Sequence, residues 1–325
     1  MPEYKTNWRS SAAFVLFLAV LWIPLIGLFF GAGSYSATNE NRNAAPLPTA
    51  GGAGFTAYFH DHFGFRRQLI AAQALFKIRV LGVSSSPDVV IGKQGWLFYS
   101  GEGSMDDGDP TLWIDLFERR RKSLSAHVLF VVAPDKQSIY PEFLPSSVRR
   151  VSSETPMNRF MQAVSLRPGM QVLDLRKPVL DAKAAGFQVF NRTDTHWNGR
   201  GVYAAYLAIA AAIPLTTDPG AVYGSVYASG DMAKMLGLGG YWMERMETCL
   251  PTRTRSATSI GEHRKLVLIG DSFAEPLVPF LAQHFETTVV LPAAGLKENA
   301  IVAGPRDLVI FEMVERKLNA PPPSR

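Results

Sequence analysis

The sequence predicts a three-layer α/β domain on a mainly parallel sheet, carried behind an amino-terminal transmembrane helix. Three observations lead there. Five short β-branched apolar runs, at 127–132, 171–175, 265–269, 288–291 and 307–311, alternate with helical stretches. These runs are apolar at consecutive positions, as in strands covered on both faces by helices. The segment 12–30 carries no charged residue.

Taking the elements in order, the run AAFVLFLAVLWIPLIGLFF would reach roughly 28 Å as a helix, close to the hydrocarbon thickness of a bilayer. Pro24 and Gly27 are tolerated in lipid, where the rest of the segment satisfies its own backbone groups. Lys5 and Arg9 precede it, and no charge follows until Glu40, which places the amino terminus in the cytoplasm. A cleaved signal peptide is the competing reading, since Ser34-Tyr35-Ser36-Ala37 offers small residues. The run is longer than a usual signal core, so we expect an uncleaved anchor at 12–33 behind a cytoplasmic tail at 1–11.

Residues 34–54 are rich in Asn, Pro, Gly and Ala and read as a linker. Beyond them Leu69, Ala72, Leu75, Phe76 and Arg79 recur at helical spacing. The cluster His60, Asp61, His62 invites a metal hypothesis, but it has aromatic neighbours and no further His or Cys at ligand spacing, so a structural role is expected. The main domain is expected at 55–320, followed by a Pro-rich tail at 321–325.

Composition bounds the function. With 325 residues and 47% apolar content, the chain can bury one large core. A single cysteine, Cys249, excludes an intramolecular disulfide and a zinc site built from cysteine pairs, and it reads as a small buried apolar residue. A net charge of +5 is too small an excess to select a partner, and no nucleic-acid binding is expected. The basic run Arg119-Arg120-Arg121-Lys122 follows apolar Leu112–Phe117 and reads as the solvated end of an amphipathic helix.

The candidate chemistry lies at a strand end. The run Lys265–Ile269 leads into Gly270-Asp271-Ser272-Phe273 and then into a helical-looking stretch, Leu277–Phe285. Functional crevices of open α/β sheets lie at the carboxyl ends of strands, so Ser272 sits where a nucleophile belongs. Its N–H, at the start of a helix, could also bind a developing oxyanion. The alternative is that Asp271 or Ser272 is a helix cap. Of the six histidines, His196 stands in Asp194-Thr195-His196-Trp197-Asn198, where Asp194 could fix one imidazole nitrogen and leave the other for Ser272. Capping by this loop is its bland counterpart. His263 precedes the strand, and His284 falls near the far end of the following helix.

Seven segments together resemble the SGNH-hydrolase-like O-acetyltransferases of bacterial exopolysaccharide systems, typified by the periplasmic alginate O-acetyltransferases. They are 61–66 (DHFGFR), 92–99 (GKQGWLFY), Pro134-Asp135-Lys136 with Ile139-Tyr140-Pro141, 194–198 (DTHWN), 230–233 (GDMA), 270–273 (GDSF) and Glu315-Arg316. The resemblance implies an SGNH-hydrolase-like (flavodoxin-like) α/β/α fold and a triad of Ser272, His196 and Asp194, without metal or cofactor. It also implies a membrane-bound O-acyltransferase partner that supplies acetyl groups, a polysaccharide acceptor, and a periplasmic domain on the bacterial inner membrane. Some relatives add a carbohydrate-binding module after the last strand, whereas this chain resembles the anchored single-domain branch. Gly295 and Asn299, after the Val289–Leu291 strand, are weak candidates for a second oxyanion donor.

The leading expectation is acetyl transfer to a sugar hydroxyl through an acetyl-Ser272 intermediate. An acetylesterase with the same triad, or a non-catalytic component of a secretion complex, are the competing classes.

Overall fold

The computed structural model describes residues 8–29, 45–46, 54–62, 64–101, 109–148, 154–213, 215, 220–252, 265–296 and 300–322. They form two compact units, one made of 1–85 with 234–241, the other of 86–233 with 242–325.

The first unit holds α1 (Trp8–Phe29), α2 (Phe55–His62) and α3 (Arg66–Phe76), the last running on into a wider turn of helix, Lys77–Leu81. Phe14, Val15, Leu16, Phe17, Val20, Leu21 and Trp22 of α1 are each more than half exposed. Among the described residues no helix is long and apolar enough to cross a membrane; within α1 the side chains of residues 8–10, 24–25 and 28–29 lie outside that description. Asp61 is buried and accepts from the Ala45 N–H at 2.8 Å. His62 bonds the Tyr58 carbonyl and stacks on its ring; the His60 side chain lies outside the described residues. Most of the linker at 34–54 lies outside them too.

The second unit carries the sheet. In chain order its elements are β1 (Val89–Ile91), β2 (Leu97–Tyr99), α4 (Thr111–Ser123), β3 (His127–Ala133), α5 (Lys136–Ile139), α6 (Pro156–Ser165), β4 (Val172–Asp174), α7 (Arg176–Ala184), α8 (Gly199–Ala212), β5 (Ala221–Ala228), α9 (Asp231–Met235, whose last two residues cluster with the first unit), β6 (Glu244–Pro251), β7 (Lys265–Gly270), α10 (Val278–Leu281), β8 (Thr287–Pro292) and β9 (Leu308–Val314). The five runs expected as strands pair in parallel in the order β4-β3-β9-β7-β8. Two antiparallel hairpin pairs, β1-β2 and β5-β6, stand apart from that sheet. The strands β1 and β2 are apolar but only three residues long, and β5 and β6 are interrupted by polar residues.

Alternation along each strand makes three layers. Leu129, Val131, Leu266, Leu268, Leu308 and Ile310 face one way, into a core completed by Val179 of α7, by Val202, Ala205, Tyr206 and Ile209 of α8, and by Phe280 of α10. Val128, Phe130, Val132, Val267, Ile269, Val309 and Phe311 face the other way, against Ile114 and Phe117 of α4 and Met157 and Phe160 of α6. Burying one such side chain is worth about 1.5–3 kcal/mol, and with both faces covered the interior positions of β3 and β7 stay apolar, while β9 admits one polar residue, the buried Glu312.

Two local expectations are corrected. The stretch Leu277–Phe285 is not one helix: a 3₁₀ turn (Glu275–Leu277), the four-residue α10 and a second 3₁₀ turn (Ala282–His284) follow one another. Pro276 and Pro279 each remove a backbone donor and clash with the preceding turn, so a regular ladder cannot form. Cys249, on β6, is half-buried rather than buried, and burial foremost pushes its thiol up to about 11.

Candidate active site

Ser272 stands in the turn that leaves β7, at the carboxyl edge of the sheet. Gly270 closes that strand because nothing larger fits: a Cβ there would lie 2.5 Å from the Ala274 Cβ and 2.7 Å from Glu312 Oε2. Asp271 ties the turn down. Its Oδ1 accepts from the Phe273 N–H at 2.9 Å, while its Oδ2 accepts from the Val314 N–H at 3.2 Å and pairs with Lys317 at 2.8 Å. The Asp271 N–H donates in turn to the buried Glu312 carboxyl at 3.1 Å. Burial, and then the Asp271 charge, push Glu312 well above the usual carboxylate range. Asp271 therefore does the local capping, and the Ser272 hydroxyl is left for a longer-range partner.

That partner is His196, whose Nε2 lies 2.7 Å from Ser272 Oγ. On the other side of the ring, Nδ1 lies 2.7 Å from Asp194 Oδ1, which also accepts the His196 backbone N–H at 3.0 Å. Capping of α8 falls to Asn198, whose side chain accepts from the Arg200 and Gly201 N–H groups at 3.0 and 3.2 Å. Trp197 is buried against Phe273, edge to face. The loop thus divides its duties, and His196 is not spent on the helix end.

Asp231, present in the sequence as part of a matching segment but given no role there, supports this pair. Its N–H donates to Asp194 Oδ2 at 3.0 Å, and its own carboxylate accepts the Thr195 N–H at 2.7 Å, the Met232 N–H at 2.7 Å and the Thr195 hydroxyl. Its Oδ2 is 3.7 Å from His196 Nδ1. The approach depends on Gly230, where a Cβ would lie 2.2 Å from the Thr193 carbonyl oxygen. Glu244 at the start of β6 holds the same loop by accepting the Arg192 N–H at 2.9 Å and the Thr193 N–H at 2.6 Å. Behind it, buried Lys136 donates to the Leu97 and Arg192 carbonyls at 3.0 and 3.2 Å. Burial brings this lysine down to about 7 against the pull of Asp194, Asp231 and Glu244.

The electrostatics follow from that layout. Burial pushes the Asp194 carboxyl up, but the hydrogen bond and charge of His196 outweigh it and hold Asp194 at about 2. Burial disfavours the His196 imidazolium, yet Asp194, by hydrogen bond and charge, and then Asp231 raise it above its ordinary value. Burial, then the charge of Asp194, raises Asp231. A nitrogen that faces a hydroxyl, in a ring whose other nitrogen is fixed by a carboxylate, can take the hydroxyl proton.

Among the described residues, Asp194, His196 and Asp231 have donor atoms within 4.8 Å of one another and are the cluster that could hold a metal ion. Their lone pairs are already committed. Both carboxylates accept two or more N–H or O–H donors, and the free imidazole nitrogen faces Ser272. The cluster is built for moving a proton.

Gly295 takes a positive φ of 69° in the turn after β8 and has no part in the hydrogen-bonded chain just described. Asn299 and His263 lie outside the described residues. His284 is buried against the Tyr206 hydroxyl at 2.9 Å, and His127 bonds Gln171 at 2.8 Å.

Asp231→Asn is expected to lower turnover roughly ten- to a hundredfold, the loss of about 1.5–3 kcal/mol from charged hydrogen bonds. It should also move the activity limb set by His196 to lower pH, since one of the charges raising that residue is gone. Turnover over a pH series checks both; unchanged turnover and limb would leave Asp231 as loop scaffolding alone.

The family model described as "ALGX: SGNH hydrolase-like domain, acetyltransferase AlgX" matches residues 89–298. The "Probable alginate O-acetylase AlgJ" of Pseudomonas syringae pv. tomato is 26% identical over 218 residues, 62% of this chain and 55% of that protein. Its counterpart in Azotobacter vinelandii is 26% identical over 276 residues, 80% of this chain and 68% of that protein. The match thus spans about half the length of the first relative. Among solved structures, the O-acetyltransferase domain of Pseudomonas putida AlgJ superposes with a TM-score of 0.53 at 22% identity, covering 72% of this chain and 92% of that one. Bacillus cereus PatB1 with a sulfonyl adduct gives 0.51 at 15% identity, covering 69% and 93%. At these identities the structural likeness speaks to the fold.

Proposed function

The chain belongs to the family of SGNH hydrolase-like, AlgX-type acetyltransferase domains, and from that premise we propose that it is an O-acetyltransferase acting on polysaccharide hydroxyls through an acetyl-Ser272 intermediate. The observation that carries this reading is the unbroken chain Ser272 Oγ, His196, Asp194, with 2.7 Å at each link. Both the alginate O-acetylase relatives and the acetyltransferase family model support the choice of acetyl as the group and a polysaccharide as the acceptor.

In the first half-reaction, Ser272 Oγ attacks the carbonyl carbon of an activated acetyl ester or thioester while its proton passes to His196 Nε2. The backbone N–H of Ser272 is the natural donor to the oxyanion. Collapse breaks the bond to the leaving group, which takes the proton from His196, and leaves acetyl-Ser272. In the second half-reaction, an acceptor hydroxyl gives its proton to His196 Nε2 and attacks the acetyl carbon. Ser272 Oγ departs and recovers that proton. Asp194 holds the tautomer and stabilises the imidazolium.

The setting is part of the proposal. The uncharged run 12–30, together with the exposed apolar side chains of α1, supports a single-pass anchor in a bacterial inner membrane, with the amino terminus cytoplasmic and the site periplasmic. On that side there is no cytosolic acetyl-CoA, so a membrane-bound O-acyltransferase partner supplies the acetyl group. A compartment-sensitive reporter after Arg325, with pull-down from a detergent extract, tests both; a cytoplasmic signal overturns the topology and the partner together.

The decisive assay incubates the full chain with an acetyl donor ester, with and without candidate glycans. Transfer to glycan is expected. Hydrolysis alone would replace the reading by an esterase, and neither activity would leave a non-catalytic component.

The pH dependence carries a definite sign. His196 must be neutral to accept a proton, and its folded pKa lies above the ordinary value. Acetylation of Ser272 should therefore be suppressed at low pH, rise through a midpoint above about 6.5, and then plateau. Single-turnover rates across pH check this; a midpoint well below that value would contradict an Asp194-supported His196.

A further inference from the structure

In the first unit, α3 and its wider last turn form one continuous rod from Arg66 to Leu81, stopped by Gly82 in the left-handed region at φ 67°. One side of the rod is packed within the unit. Ala71 and Ala74 are buried, the Ile70 side chain lies close against Gly237, and Arg67 donates to the Gly239 carbonyl at 2.8 Å. The opposite side is apolar as well, yet open. Leu69, Phe76 and Val80, spaced i, i+7 and i+11, are 45%, 54% and 66% exposed, and exposed Ala72 lies on the same stripe. Lys77 and Arg79 stand one on each side of it. A water-soluble helix of a globular unit has one apolar face; this one has two, and the second is rimmed by cations.

The neighbourhood of that second face identifies what covers it. Gly27, near the carboxyl end of α1, is buried against the α2–α3 junction so closely that a Cβ would lie 2.8 Å from both the Gly64 Cα and the Phe65 ring. The rod begins at the next residue, Arg66. If α1 is the anchor of the reading above, the rod starts at the level where the chain leaves the hydrocarbon. An apolar stripe flanked by long basic side chains fits that level. The stripe enters the acyl boundary while Lys77 and Arg79 extend to lipid phosphates, and anionic headgroups complement their charge.

We propose that the Leu69–Ala72–Phe76–Val80 face of this helix rests on the anionic lipid surface beside the anchor. The proposal depends on the anchor reading of α1. It adds a second contact, which fixes the unit on the membrane plane instead of leaving it to swing on a single span.

The test uses the full chain with Cys249→Ser, carrying a nitroxide on Ala72→Cys, in phosphatidylcholine vesicles with and without phosphatidylglycerol. A label on Phe17→Cys is the reference. Oxygen partitions into lipid and a nickel chelate into water, so their collision rates with each label report its surroundings. The expected result is a several-fold rise in the oxygen-to-nickel ratio at position 72 when phosphatidylglycerol is present. Lys77→Glu with Arg79→Glu should abolish that rise without changing the reference label. A water-exposed label at 72 with a lipid-exposed label at 17 overturns the proposal and leaves the anchor standing. A label at 72 shielded from both reagents overturns it too, by assigning the face to a protein partner. Water exposure at both positions overturns the anchor reading, and the lipid contact falls with it.

Discussion

Replacing Ser272 by alanine should abolish acetyl transfer and leave the fold untouched. Ser272 is exposed in the turn after β7, and its side chain bonds the His196 ring. The turn itself is held by Asp271, through the Phe273 and Val314 N–H groups and Lys317, and by Glu312 through the Asp271 N–H. Alanine keeps all of these contacts and removes no buried surface, so the melting temperature should move by no more than a degree or two. The catalytic loss should be at least about 10⁴-fold, toward the roughly 10⁶-fold found when a triad nucleophile is removed elsewhere. Transfer assays on material shown folded by circular dichroism check this, and mass spectrometry should find a +acetyl species on the native chain but not on the variant. Near-native transfer by folded Ser272→Ala would remove Ser272 from the reaction.

Asp194→Asn should be nearly as damaging, for a different reason. The carboxylate accepts three N–H groups, from the His196 backbone, the His196 ring and the Asp231 backbone. An amide has one oxygen and one NH2 in place of two acceptor oxygens, so at least one of these donors must face a donor. If the ring yields, His196 changes tautomer: Nδ1 accepts from the amide, and Nε2 carries the proton that it should be taking from Ser272. A loss on the order of 10⁴ in turnover, the size of the corresponding change in a serine protease, is expected. The effect should fall on kcat, with KM little changed, because no group that touches the acceptor is altered. His196→Ala should be at least as severe. A drop of less than about tenfold for Asp194→Asn, small on that same scale, would assign Asp194 to holding the loop.

By itself the sequence determined the sheet and the two halves of the site. Strands covered on both faces cannot alternate polar with apolar, so β3, β7 and β9 each show a continuous apolar run of four residues or more within six or seven. Asp194 and His196 are two residues apart, and a contact that local was legible as a pair. Ser272 was legible because a Gly-Asp-Ser turn follows a strand of the doubly covered type. Seventy-six positions separate it from His196, however, and only the packing of α8 and β7 on one sheet brings them to 2.7 Å. The supporting residues were hidden for the same physical reason. Asp231 and Glu244 flank a long excursion between β5 and β6 and return to the loop at 192–195 through backbone hydrogen bonds, which no spacing rule encodes. Lys136 stood in a matching segment without a role, and only the tertiary structure encloses it beside two carbonyls. The helix expected after Ser272 failed on Pro276 and Pro279, residues visible in the sequence, whose cost to a hydrogen-bonded ladder outweighed the apolar periodicity around them.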